Sequence, residues 1–144
     1  MAQGIAVGVA EGYRHLYDDR PPHASHPLVP AAWIEMNAGD CCIASTAEDL
    51  ARFARMLLNR GQGPAGSLLS SAGYELLLHE PVATEYGFAY GYGIKVRRRD
   101  GFAHLGHGGG MPGYEAFMLV DADHGLGVTL VSTKPSIGVR DLAW

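Results

Sequence analysis

Charge is scarce in this 144-residue chain: 18% of residues are Asp, Glu, Lys or Arg, against about 25% in ordinary soluble domains. So low a charge, beside 47% hydrophobic residues, excludes a disordered, self-repelling polypeptide. Basic excess is missing too. Lys plus Arg number 11 against 15 Asp plus Glu, a formal net charge of −4, so there is no positive field for a phosphate backbone and nucleic acid is not an expected partner. Cysteine is limited to the adjacent Cys41 and Cys42, which are badly placed to bridge each other, and a reducing compartment fits. No apolar run approaches the roughly 20 residues of a membrane span, and Met1-Ala-Gln-Gly-Ile5 lacks the basic start of an export signal. The chain as given is therefore expected to be soluble and cytoplasmic, although a longer parent could be exported. Finally, Ser25, Ser45, Ser67, Ser70, Ser71, Ser132 and Ser136 all lack the flanking glycines of G-x-S-x-G, which excludes the nucleophile turn of α/β-hydrolases.

What is present suits one core. A chain of this length should bury about 70% of its extended surface, so a single domain over residues 1–144 is expected. Ile5, Val7 and Val9 alternate and predict a short extended segment ended by Glu11-Gly12. From Asp18 to Pro30 four prolines remove backbone donors, predicting a surface strap, so residues 1–45 read as extended segment plus proline-rich loop. Helices are expected over 46–80. Ser45 or Thr46 can cap the first, with Glu48 and Asp49 in its opening turn. Leu50, Phe53, Ala54, Leu57 and Leu58 then form an apolar stripe, and Gly61 supplies a left-handed stop after about residue 60. A shorter helix runs from Ser70 or Ser71 to His79, with Tyr74, Leu77 and Leu78 inward and Pro81 ending it. Residues 88–133 read as antiparallel strands at 90–97, 102–106, 114–120 and 126–132, with a turn at Asp121 to Gly125. Helices followed by consecutive strands make an α+β fold, an antiparallel meander with helices packed on one face.

Several motifs reduce to simpler explanations. Gly61-Gln-Gly63-Pro-Ala-Gly66 and Gly108-Gly-Gly110-Met-Pro-Gly113 both match GxGxxG, but neither follows a strand and opens a helix, as pyrophosphate binding requires. His23-Ala-Ser-His26 and His104-Leu-Gly-His107 have a metal-binding spacing for helices, yet they lie in loop and strand, where residues three apart face opposite sides. Asp121-Ala-Asp123 lacks the closing acid of a calcium loop. No metal and no cofactor are expected, and an inert thiol is the reading for Cys41 and Cys42, which have no basic neighbour.

The order of the segments is more specific than any one of them. Gly12-Tyr13, the proline strap, Ala38-Gly39-Asp40, Ser45 to Phe53, Leu57-Leu-Asn-Arg-Gly61, Leu68-Leu-Ser70, Tyr90-Gly-Tyr-Gly93, His104-Leu-Gly-His107-Gly-Gly109 and Pro112-Gly-Tyr114 follow one another along nearly the whole chain. In that order they resemble the C-terminal part of a serine β-lactamase-like hydrolase, of the class C β-lactamase, D-alanyl-D-alanine carboxypeptidase and esterase group. The resemblance implies a partial penicillin-binding-protein-like transpeptidase fold. It also implies acyl transfer to water from small-molecule ester, amide, peptide or β-lactam substrates in the complete enzyme.

In that group a Lys-Thr-Gly or His-x-Gly strand borders the nucleophile, and His107-Gly108-Gly109 matches the histidine form. The resemblance makes His107 a donor to substrate or to the nucleophile network and Gly110 the source of an oxyanion N–H. Gly108, Gly109, Met111 and Tyr114 become substrate-binding neighbours, which suits a strand edge that a substrate must approach closely. The group's Ser-x-x-Lys is absent, because Lys95 and Lys134 follow Tyr92 and Val131 by three residues; Tyr-x-Asn is absent as well, since Asn37 and Asn59 follow Glu35 and Leu57 by two. The chain also ends at Arg140-Asp-Leu-Ala-Trp144, where the group's C-terminal helix begins. The expectation is a C-terminal portion that is inactive alone. A rival expectation is a binding or self-assembly module, a homo-oligomer paired through the 126–132 strand edge.

Overall fold

The computed structural model describes residues 8–134 apart from 18, 22, 24, 35, 37, 42 and 79–81. Twelve short elements follow in order: β1 (Tyr13–His15), β2 (Leu28–Pro30), α1 (Ala47–Leu58), β3 (Gln62–Gly63), β4 (Gly66–Ser67), α2 (Ser71–Leu78), β5 (Val82–Ala83), β6 (Ala89–Tyr90), β7 (Lys95–Arg99), β8 (Phe102–Met111), β9 (Tyr114–Asp121) and β10 (Leu126–Ser132). Strands β5 to β10 form one antiparallel sheet in the order β10-β9-β8-β7-β6-β5, while β1-β2 and β3-β4 are separate ribbons. This is the expected α+β meander with one correction. The strand expected at 90–97 is broken, because the Gly91 N–H turns back to the Ile94 carbonyl and Gly93 lies at φ +77°. Its two ends fall in β6 and β7, and β5 is added beyond β6.

Helix α1 begins where its sequence says it should. Thr46 is extended at φ −113° and its side-chain oxygen accepts the Asp49 N–H at 3.1 Å, which satisfies one of the first turn's unpaired donors. The stop differs from the expected one. The N–H of Gly61 bonds the Met56 carbonyl and that of Arg60 bonds the Leu57 carbonyl, a Schellman arrangement whose left-handed residue is Arg60 at φ +52°, with Gly61 one place further at +89°. The buried face is also shifted. Leu57 is fully buried and Met56 nearly so, whereas Phe53 is 43% exposed. The cause is a second neighbour: α1 lies on β9 and β10 and is flanked by β3 and α2, where the buried Tyr74 hydroxyl donates to the Leu57 carbonyl at 2.8 Å. Contact on two sides draws Met56 in.

The core lies between the helices and one face of the sheet, where Leu105, Met118 and Val120 meet Ala54, Leu57 and Tyr74, with Ile94 beside them. Burying a side chain such as Leu57 contributes about 2–3 kcal/mol. Leu77 and Leu78 of α2 pack against this cluster, as their spacing predicts. The strap is not wholly loop: Leu28–Pro30 pairs with Tyr13–His15, an edge placement that tolerates Pro30. Residues 1–7, which include the start of the expected N-terminal extended segment, and Arg140 to Trp144 fall outside the described residues, as do His79, Pro81 and Cys42.

Candidate functional site

Strand β8 continues five residues past the expected end at Gly106. Its periodic signal stops there because three consecutive glycines have no side chains to alternate, but pairing with β9 persists through His107↔Met118, Gly108↔Phe117, Gly109↔Ala116, Gly110↔Glu115 and Met111↔Tyr114. Pro112 and Gly113, the latter at φ +84°, make the two-residue turn that closes this hairpin. Strand β7 is shorter. Its last partner on β8 is Gly106, so no strand among the described residues pairs with 107–111 on that side.

The direction of the free backbone groups follows from the two hairpins. A two-residue connection closes on a hydrogen-bonded pair, and such pairs alternate along an antiparallel ladder. On the β9 side that pair is Met111↔Tyr114, so Gly109, His107 and Leu105 also bond to β9. On the β7 side it is Arg99↔Phe102, joined by Asp100 and Gly101 at φ +53° and +88°, so His104 and Gly106 bond to β7. Both parities agree, and they aim the amides of Gly108 and Gly110 at the open side, beyond the end of β7.

The glycines separate by what would surround a side chain. A Cβ on Gly106 would lie 2.4 Å from the Met118 carbonyl oxygen, and one on Gly108 would lie 2.6 Å from the Phe117 ring; close packing accounts for both. At Gly109 nothing stands within 4 Å, and at Gly110 the nearest atom is 3.7 Å away. Packing does not demand glycine at either of these positions, and together they leave open surface along the strand.

Alternation places His107, Gly109 and Met111, with Tyr114 opposite Met111, on the helix-side face, and Gly108 and Gly110 on the other. His107 is half-buried. Its Nε2 lies 3.0 Å from the hydroxyl oxygen of Tyr90, a residue that sequence reasoning did not select because 17 positions separate the two. Tyr114 is tied down: its hydroxyl donates to the Ala10 carbonyl at 2.9 Å and its ring meets Trp33 edge to face at 6.5 Å. The N-terminal strap is fastened at the same turn, with a Cβ on Gly113 only 2.5 Å from the Ala31 Cβ and the Ala31 N–H bonded to the Gly12 carbonyl at 2.8 Å.

His104 lies apart from His107, its Nε2 3.8 Å from Asp121 Oδ2. Burial works to raise the Asp121 carboxyl, but the His124 backbone N–H and imidazole, with the charges of His124 and His104, outweigh it and hold the group below the usual carboxylate range. Asp121 Oδ1 also accepts the Asp123 N–H, and Asp123 Oδ2 accepts the Ala103 N–H at 2.7 Å, so these acids organise the β9–β10 turn. Behind β8, on the face away from His107, Tyr86, Phe88, Lys95, Arg97 and Phe117 help line a depression of about 420 Å³.

A model of the Beta-lactamase family matches residues 4–143. The chain belongs to that family. Among solved structures, it is similar to the crystal structure of a D-stereospecific amidohydrolase from Streptomyces sp., at 27% identity and a TM-score of 0.50 over 62% of this chain. The match covers 26% of that enzyme's chain, so the β-lactamase-family segment described here spans about a quarter of its length. No curated protein matches. Family and fold thus agree with a β-lactamase-like serine hydrolase, and the α+β meander is a part of that fold. Among the described residues no helix is long and apolar enough to cross a membrane.

Proposed function

We propose that this chain supplies one wall of an acyl-transfer pocket in a β-lactamase-like serine hydrolase. In this reading the Gly110 N–H is an oxyanion donor, His107 donates to substrate or to the nucleophile network, and Gly108, Gly109, Met111 and Tyr114 border the bound acyl group. An amide aimed past the end of β7 has the placement needed to meet charge that develops on a carbonyl oxygen. The observation that carries the reading is the pairing of that free edge with two glycines that packing leaves unexplained. The attacking serine and its lysine are contributed by polypeptide outside this sequence, so the chain alone is inactive. Substrates are small esters, amides or peptides, and the similarity to a D-stereospecific amidohydrolase makes D-amino acid amides the first to test.

The test has two arms. Incubation with a fluorophosphonate should leave the chain unlabelled, and a chromogenic ester or β-lactam should not be hydrolysed. Titration of ¹⁵N-labelled protein with an N-acetyl-D-amino acid amide should shift the amides of Gly109, Gly110 and Met111. Labelling or turnover overturns the claim of inactivity, while shifts confined to other strands overturn the pocket.

A second reading is favoured by one observation. Strand β10 is outermost in its sheet and forms a ladder with β9 alone among the described residues. The Tyr13 N–H bonds the Thr133 carbonyl at 2.8 Å just past its end, while Leu126–Ser132 keeps its outer edge, with Leu126 and Val131 exposed at 65% and 46%. An open edge of this kind recruits another strand, and a second copy of this chain is the proposed occupant. Sedimentation should show a concentration-dependent dimer; a strict monomer at high concentration removes this reading.

A further inference from the structure

The Tyr90-Gly-Tyr-Gly93 segment has no role in the reading above, yet it is built to reach the site. Tyr90 sits on β6, paired to β5 through Val82 and to β7 through Lys95. The β5–β6 hairpin is closed twice over, by the Thr84 N–H and the Thr84 hydroxyl, both donating to the Phe88 carbonyl at 3.0 and 2.6 Å. On the other side of Tyr90, a Cβ on Gly91 would lie 2.8 Å from the Leu77 carbonyl oxygen, so only glycine lets this loop lie against the end of α2. The Gly91 N–H bonds the Ile94 carbonyl at 2.9 Å, Gly93 turns the chain at φ +77°, and Ile94 is buried. Backbone constraints on both sides thus hold the phenol where its oxygen is 3.0 Å from His107 Nε2, with the rings at 67° and 5.7 Å. Tyr92, two residues on, is 75% exposed.

We infer that Tyr90 is the positioning residue of His107. A neutral imidazole has one donor nitrogen and one acceptor, and a hydrogen bond to either selects the tautomer. The phenol is the better donor of the pair, so Tyr90 O–H donates to Nε2 and leaves the ring proton on Nδ1. Tyr90 thereby decides which nitrogen of His107 is able to donate, as well as the plane of the ring. The inference rests on the reading of β8 as an acyl-transfer wall and adds to it a residue from a different hairpin. A net hydrogen bond in a half-exposed setting biases such an equilibrium roughly fivefold.

The test uses the chain as it exists, labelled with ¹⁵N-histidine and observed by long-range ¹H–¹⁵N spectra above the ordinary imidazole pKa of about 6.5. Wild type should show His107 as the Nδ1–H tautomer. Tyr90→Phe, which keeps the ring and the backbone pairing, should move the ratio about fivefold toward Nε2–H. Tyr92→Phe, the matched control, should change nothing. A wild-type ring protonated on Nε2, or a Tyr90→Phe spectrum equal to wild type, overturns the inference. The same samples are titrated with the N-acetyl-D-amino acid amide. Several-fold weaker binding in Tyr90→Phe alone supports the positioning role, and unchanged binding despite a shifted tautomer overturns it. If wild type ignores the probe while Tyr90 still sets the tautomer, the pocket reading fails and the control of His107 by Tyr90 stands.

Discussion

Gly106 and Gly109 lie three residues apart on one strand and should respond in opposite ways to the same added methyl group. At Gly106 the new carbon would meet a backbone oxygen at 2.4 Å, well inside any tolerated contact, and the Met118 carbonyl belongs to the β8–β9 ladder and cannot swing aside. Gly106→Ala must therefore push the two strands apart, at a cost of about 1–3 kcal/mol. At a urea dependence of roughly 2 kcal/mol per molar, that lowers the unfolding midpoint by about 0.5–1.5 M. Gly109→Ala meets nothing within 4 Å and removes the excess freedom of glycine from the unfolded chain, so its midpoint should hold or rise by a few tenths molar. The same variant should weaken binding of the N-acetyl-D-amino acid amide, because its methyl group occupies the surface beside His107. Equilibrium urea unfolding read by circular dichroism gives the first quantity and the amide titration gives the second. A Gly109→Ala protein that is destabilised as much as Gly106→Ala, or that binds the probe as wild type does, refutes the division of these glycines into packed and open.

Two further outcomes follow from local geometry. Thr46→Ala removes the acceptor for the Asp49 N–H and should cost about 1 kcal/mol by urea unfolding, whereas Thr46→Ser should restore most of it; equal losses in both would deny Thr46 its role as cap. The Asp121 carboxyl is held below its ordinary value, so the stability it contributes is present above the unfolded carboxylate pKa of about 3.9 and is lost as pH falls through the lower folded value. Asp121→Asn should accordingly flatten the loss of stability below about pH 4, and acid limbs that superimpose on wild type would contradict the assignment.

Much of the scaffold was legible before any coordinates. Helix α1 combines a capping threonine, acidic first-turn residues and apolar spacing, and these local terms act together over Ala47–Leu58. Strands β9 and β10 were legible because their apolar residues are bounded by turn residues on both sides, whereas β5 and the break at 91–94 were not, since two-residue strands carry no period to read. The last five residues of β8 were not, since glycine leaves no pattern to read, and their strand geometry comes from β9. The left-handed stop begins at Arg60, one residue before Gly61, because the helix ends where its carbonyls find partners, which include the α2 side chain of Tyr74 on Leu57. Proline in the strap suggested loop throughout, yet Pro30 sits at an edge where its missing N–H is harmless.

The amino-acid order alone determined the family, the succession of helices and strands, and the candidate residues from His107 to Tyr114, because each depends on neighbours within a few positions or on a linear succession of motifs. Tertiary structure decided which of the glycines are filled by packing, which amides face the open side past β7, and that Tyr90 meets His107. Those are properties of strand length, register and parity, set by long-range pairing, and a one-dimensional pattern does not encode the distance between two side chains on separate hairpins.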